Sequence, residues 1–167
     1  MKLTIINGTN RIGNRSLHIS KLVQETAELH EFETYLVTLE SFDTLFRGEY
    51  LTFENANEAQ LKDLRAINDA KYLVFVVPTY HHGIPSPLKN FLDLVDEPEL
   101  FSRNVIGIIS SNKSGRDGAR QAAQVINGYL AYNKAQAAYI HPEIPIINYE
   151  EPDRERIERF LNTIAGM

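Results

Sequence analysis

The sequence contains no cysteine. That excludes disulfides, thiol nucleophiles and cysteine-ligated zinc or iron–sulfur centres. A basic excess is missing too: the formal net charge is -5, unlike the electrostatic footprint of a nucleic-acid binder. A small basic cluster can still seat one phosphate, because neighbouring groups set the local potential. No stretch approaches the roughly 20 apolar residues of a membrane span. The start, Met1 to Gly8, holds too short an apolar run for a secretory signal. The expectation is a cytoplasmic protein that touches neither membrane nor nucleic acid. Repeats, low-complexity tracts and linkers are also lacking, so residues 1–167 are expected to form one domain, long enough to bury a core.

What the sequence does contain is an alternation of strand-like and helix-like segments. Leu3 to Asn7 is a β-rich apolar run. Ser16 to Leu29 follows, with Ile19, Leu22, Val23 and Ala27 at helical spacing. Tyr35, Val37 and Leu39 alternate with polar residues, as in a half-buried strand. Residues 57–70 carry Leu61, Leu64 and Ile67 on a helical stripe. Tyr72 to Val77 is nearly all apolar, the pattern of a strand covered by helices on both faces, and Pro78 ends it. Leu88, Phe91, Leu92 and Val95 again follow helical spacing. Val105 to Ile109 is a second buried strand, and Ala119, Ala122, Ala123, Ile126 and Leu130 share the next helical face. Ala137 to Ile140 starts a last strand, with Ile144 to Ile147 continuing or following it. Ile157, Phe160, Leu161 and Ile164 mark a final amphipathic helix.

Strands alternating with helices give an α/β fold: a doubly wound, five-stranded parallel sheet with helices on both faces. Right-handed crossovers leave few topologies, and the order 2-1-3-4-5 suits the length. Such sheets bind ligands at the carboxyl ends of strands near the switch point, here strands 1, 3 and 4.

The loop after strand 1 runs Gly8-Thr9-Asn10-Arg11-Ile12-Gly13-Asn14-Arg15-Ser16. Its glycines permit tight turns. Thr9, Asn14 and Ser16 carry donors, Arg11 and Arg15 add charge-assisted donors, and a helix N-terminus follows. These features describe a phosphate seat. They equally describe a strand–helix turn with Ser16 as N-cap and solvated arginines. The loop is neither Walker A nor GxGxxG, which disfavours the usual nucleoside triphosphate and dinucleotide sites.

Strand 3 ends in Pro78-Thr79-Tyr80-His81-His82-Gly83-Ile84-Pro85-Ser86-Pro87. Three prolines stiffen this loop after the strand, and Tyr80 with two histidines offers flat groups beside the phosphate seat. A planar mononucleotide ring fits that pairing. Read separately, Tyr80 is packing and the histidines are surface residues. No metal site is expected, since His81 and His82 have no supporting ligand at local spacing.

Gly8-Thr9-Asn10-Arg11, with Asn14 and Ser16, resembles the GSxRxxS-type phosphate loop of the NADPH-dependent FMN reductase family. Pro78-Thr79-Tyr80-His81-His82-Gly83, followed by Leu88-Lys89-Asn90 and Asp93, resembles that family's flavin loop. The likeness is greatest to the azobenzene, quinone and chromate reductase branch. It departs from the family pattern at Thr9, where serine is common, and at His81, where many members have asparagine; both keep hydrogen-bonding ability.

The resemblance implies a flavodoxin-like fold with bound FMN and NADPH or NADH as electron donor. Hydride would pass through FMN to a small acceptor such as a quinone, azo compound or flavin, with no protein acid or base as a catalytic residue. It places Thr9, Asn10, Arg11, Asn14, Arg15 and Ser16 at the phosphate, and Pro78, Thr79, Tyr80, His81, His82 and Gly83 at the ring. After strand 4, Ser110, Ser111 and Gly115 would border the ring's far side. Lys113 and Arg116 read either as contacts to a nicotinamide nucleotide phosphate or as solvated charges. Homodimers or homotetramers are implied as well. The aromatic segment Ser41 to Asn57, with Phe42, Phe46, Tyr50 and Phe53, shapes the entrance or packs against a partner subunit.

The alternatives are a flavodoxin-type electron carrier and a flavin-binding redox sensor acting through a protein partner. A phosphoacceptor module needs an aspartate where Pro78-Thr79 stands, and a low-molecular-weight phosphatase needs a cysteine.

Overall fold

The structure is a computed structural model. It describes residues 1–43, 50–81, 83–97, 99–102, 104–111, 116–132, 139–140 and 154–166, with backbone alone for 116–119 and 139–140. Four parallel strands form the body of the sheet: β1 (Lys2–Asn7), β2 (Glu33–Val37), β3 (Tyr72–Pro78) and β4 (Val105–Ser111), side by side as β2-β1-β3-β4. The expected fifth strand is reduced, among the described residues, to a two-residue segment β5 (Tyr139–Ile140), paired parallel with Gly107 and Ile108 of β4. The apolar run at 144–147 lies outside the described residues.

Among the described residues five α-helices cover the sheet: α1 (Arg15–Leu29), α2 (Glu58–Asp69), α3 (Ser86–Leu94), α4 (Arg116–Tyr132) and α5 (Arg154–Ala165). The strands alternate between two apolar layers because successive strand residues face opposite ways. Leu3, Ile5, Tyr72, Val74 and Val76 pack with Ile19 and Val23 of α1 and with Ile157, Phe160 and Ile164 of α5. Ile6, Leu73, Phe75 and Val77 pack on the other face with Leu64 and Ile67 of α2, Leu88 and Phe91 of α3, and Ile126 of α4. Every residue of β3 is buried, as its unbroken apolar run requires.

Helix ends follow local chemistry. Asn57 and Gln60 form a reciprocal capping box that starts α2. At its other end the buried Asn104 donates Nδ2 to the carbonyls of Ile67 (3.3 Å) and Ala70 (2.5 Å). The half-buried strand expected to reach Leu39 stops at Val37. Leu39 is buried, with a left-handed φ of 67°, and caps a short 3-10 turn over Glu40–Phe42. Phe42 is core rather than entrance, packing edge-on against Phe91 with ring centroids 4.7 Å apart. Leu51 is buried too, its N–H donating to the Leu94 carbonyl at 2.8 Å. Phe53 is partly buried against the same core, Tyr50 is exposed, and Phe46 lies outside the described residues.

Helix α5 packs directly onto Gly107 of β4. A Cβ there would lie 2.3 Å from Phe160 Cζ and 3.3 Å from Ile164 Cγ2 of α5. Both side chains are fully buried and have nowhere to retreat. Gly107→Ala is expected to destabilise the protein by about 1–3 kcal/mol through overpacking, read as a lower urea midpoint. An unchanged midpoint would show that α5 does not press on β4 in this way.

Candidate functional site

The parallel register aligns the carboxyl ends of three adjacent strands. Asn7 of β1 lies beside Val76, and Val77 and Pro78 of β3 lie beside Ser110 and Ser111 of β4. The chain leaves β1 at Gly8, whose N–H donates to the Val76 carbonyl at 2.8 Å. A Cβ at this position would meet that carbonyl oxygen at 3.1 Å, Leu88 Cδ2 at 3.2 Å and Val77 Cα at 3.3 Å, so glycine permits the close passage.

Side chains then shape the first loop. Buried Asn7 donates Nδ2 to the Thr9 carbonyl at 2.6 Å. Thr9 is buried, and its hydroxyl oxygen accepts the Arg11 N–H at 3.3 Å while donating to no group among the described residues. Arg11, Ile12 and Gly13 form the exposed tip, with Gly13 at φ 68°.

Asn14, not Ser16, is the N-cap of α1. Its Oδ1 accepts the Leu17 N–H at 2.7 Å and the Ser16 hydroxyl at 2.8 Å, and its Nδ2 donates to the Arg11 carbonyl at 2.6 Å. Asn14 closes the loop onto the helix. The Ser16 proton is engaged in the same network, and Ser16 is buried one position inside the helix. The expected cap fell two residues late because asparagine and serine are both good caps and their spacing did not choose between them. Arg15 opens the helix, and no acidic residue stands in its first turn to offset its positive dipole end.

The loop after β3 folds on itself. Tyr80 N–H donates to the Gly83 carbonyl at 3.1 Å, and Gly83 N–H returns to Tyr80 at 2.9 Å. His81, exposed at the turn, has a left-handed φ of 48°. The Thr79 N–H donates to the Ser111 carbonyl at 2.8 Å, tying this loop to β4. The N–H groups of Thr79, Tyr80 and Gly83 therefore hold the protein together rather than face a ligand edge. Pro78 is buried in the strand, and His82 lies outside the described residues.

Two contacts thus unite the expected residues. Thr79 joins the second loop to β4, and the Arg11 guanidinium carbon lies 6.0 Å from the centroid of the Tyr80 ring, joining the first loop to the second. Ser110 and Ser111 are buried at the end of β4, and Ser110 Oγ has no hydrogen-bond partner among the described residues. Gly115 and Lys113 lie outside the described residues, and Arg116 begins α4. Sequence reasoning missed Asp43, whose carboxylate accepts a hydrogen bond from Asn10 Nδ2. Its contact spans 33 positions and carries no local pattern.

The arrangement fits an anionic, planar ligand. It pairs the Arg11 guanidinium, a buried hydroxyl and a helix start with the Tyr80 ring and with Ser110 Oγ, unpartnered among the described residues. Among the described residues no group of three or more His, Asp or Glu could hold a metal ion, and no helix is long and apolar enough to cross a membrane.

The sequence pattern of the NADPH-dependent FMN reductases matches residues 1–143. No curated protein sequence matches the chain. Among solved structures, an NADH:FMN oxidoreductase in its apo form superposes with a TM-score of 0.77 at 12% identity, covering 99% of this chain and 87% of that one. A flavodoxin, the WrbA-like protein of Agrobacterium tumefaciens, gives 0.64 at 16% identity, covering 99% of both chains. An FMN-dependent NADH-azoreductase of Bacillus anthracis, in complex with FMN, gives 0.58 at 13% identity, covering 99% of this chain and 97% of that one. At these identities the likeness shows the flavodoxin-like fold.

Since the Asn14 side chain links the loop tip to the helix start, Asn14→Ala is expected to cost about 1 kcal/mol of stability. Urea unfolding checks this, and an unchanged midpoint would contradict the capping role.

Proposed function

The chain belongs to the NADPH-dependent FMN reductase family, and from that premise we propose that it passes electrons from NADPH or NADH through bound FMN to a small organic acceptor of the quinone, azo or flavin class. FMN is the cofactor and NAD(P)H the donor. When bound, FMN supplies hydride and electron chemistry that no side chain of this protein possesses. The protein's own contribution is binding, orientation and electrostatics.

In this reading Thr9, Arg11, Arg15 and the backbone N–H groups at the start of α1, that of Ser16 among them, take the phosphate, while Asn10, Asn14 and the Ser16 hydroxyl keep the loop in shape. Pro78, Thr79, Tyr80, His81, His82 and Gly83 border the ring on one side, and Ser110, Ser111 and Gly115 on the other. No protein acid or base is assigned. The unit is a single domain over residues 1–167, placed in the cytoplasm.

The observation that carries this reading is the Arg11 guanidinium lying over Tyr80, because it sets the phosphate loop and the ring loop side by side. A cation over an exposed aromatic contributes about 0.5–1 kcal/mol. A charge-assisted hydrogen bond from the same guanidinium to a phosphate contributes about 1.5–3 kcal/mol. Arg11 is therefore free to exchange the first contact for the second. Arg11→Ala is expected to weaken FMN binding by about 1.5–3 kcal/mol in a fluorescence titration, tenfold or more. Unchanged affinity would remove the phosphate seat from this loop.

Assembly as a homodimer or homotetramer is part of the proposal. Light scattering at micromolar concentration is expected to give at least twice the 19.0 kDa chain mass, and a monomer would contradict it.

A further inference from the structure

The connection from β2 to α2 reaches the candidate site through a residue that none of the three strand-end loops supplies. After the left-handed Leu39, the turn at Glu40–Phe42 is fixed on two sides. Phe42 is buried against Phe91 of α3. Ser41 Oγ donates to Asp63 Oδ2 of α2 at 2.5 Å. Asp63 also accepts the Tyr35 hydroxyl of β2 at 2.9 Å through its Oδ1. Burial, then that hydrogen bond and the carboxylate charge, push the Tyr35 phenol up to about 12, so it stays a neutral donor. The next residue, Asp43, gives its backbone N–H to the Glu40 carbonyl at 3.3 Å and its Oδ1 to Asn10 Nδ2.

We propose that Asp43 is a positioning residue for the phosphate seat: carried on a turn anchored to α2 and α3, it holds Asn10 and thereby the rim of the first loop. The role rests on reading residues 9–16 as that seat. The loop's own bonds secure Thr9, Arg11 and Asn14, and the side chain of Asn10 bonds only to Asp43 among the described residues. An exposed polar pair usually contributes little, since two mobile side chains must be ordered. Here the backbone of Asp43 is already ordered by the turn, so less freedom is lost when the bond forms. A charged acceptor strengthens the bond further.

The carboxylate acts in two opposed ways on a bound phosphate. Its hydrogen bond to Asn10 favours binding, and its charge repels the anion. Asp43→Asn keeps an oxygen acceptor and removes the charge, whereas Asp43→Ala removes both.

The test is FMN titration of the flavin-free full chain, with amide hydrogen exchange at Asn10 and Arg11 as a second readout. Asp43→Ala is expected to raise the FMN Kd about five- to tenfold and to speed exchange at both amides. Asp43→Asn is expected to bind FMN as tightly as the parent or more tightly, with parent-like exchange. Tyr35→Phe, which breaks the other bond to Asp63 but leaves Ser41 in place, is expected to leave the Kd unchanged even if it lowers stability. Parent-like binding and exchange in Asp43→Ala would overturn the role, and so would an equal loss of affinity in Tyr35→Phe. A parent protein that binds no FMN would overturn the phosphate seat itself, while the exchange rates would still decide whether Asp43 orders Asn10.

Discussion

The backbone leaving β1 passes so close to β3 that residue 8 has no room for a side chain. Its N–H bonds the Val76 carbonyl, and Val77 and Leu88 close the remaining space. This passage directs the first loop across the end of β3 rather than away from the sheet. The loop's tip then stands beside the turn that follows β3, and Arg11 meets Tyr80. Without that crossing the two loops would be separate surface turns, each with an ordinary structural explanation. With it, they form one surface holding cations at one side and an aromatic ring at the other.

The site is held mostly by side chains that face the backbone rather than a ligand. Asn7 fixes the loop's entry and Asn14 its exit, and the Tyr80–Gly83 turn uses its own N–H groups. Donors committed in this way make the loops stiff. The groups placed to meet a ligand are the Thr9 hydroxyl, the Arg11 guanidinium, the helix start and Ser110 Oγ at the end of β4, which has no hydrogen-bond partner among the described residues. Rigid support with a few uncommitted donors suits a protein whose chemistry resides in a bound cofactor.

Much of the fold was legible in the residue pattern, because the helices and strands are strongly periodic. The apolar run Tyr72 to Val77 and Leu88, Phe91 and Leu92 are core residues as their spacing predicted, while Val95, the last of that stripe, is partly buried at the cap of α3. Handed crossovers left few topologies, and the expected order is met over β2-β1-β3-β4; of the expected fifth strand the described residues hold only a two-residue segment beside β4. What escaped was set by competition or by distance. Two adequate caps, Asn14 and Ser16, stood two residues apart, and only the folded loop selects between them. Leu39 continued an alternating pattern that tertiary packing broke with a left-handed residue. The Asn10–Asp43 and Ser41–Asp63 pairs join residues 33 and 22 positions apart, which no local spacing announces. The candidate phosphate loop was visible because its residues are contiguous; its outer support was not, because that support comes from the next connection along the sheet.

In the proposed function this surface holds FMN and exposes it to a nicotinamide donor. The most direct measurement is the absorbance of the FMN-loaded protein during anaerobic addition of NADPH and then NADH. The oxidised flavin bands are expected to bleach rapidly with at least one of the two donors. Bound flavin that neither donor bleaches would contradict it and point to an electron carrier or sensor in place of a reductase.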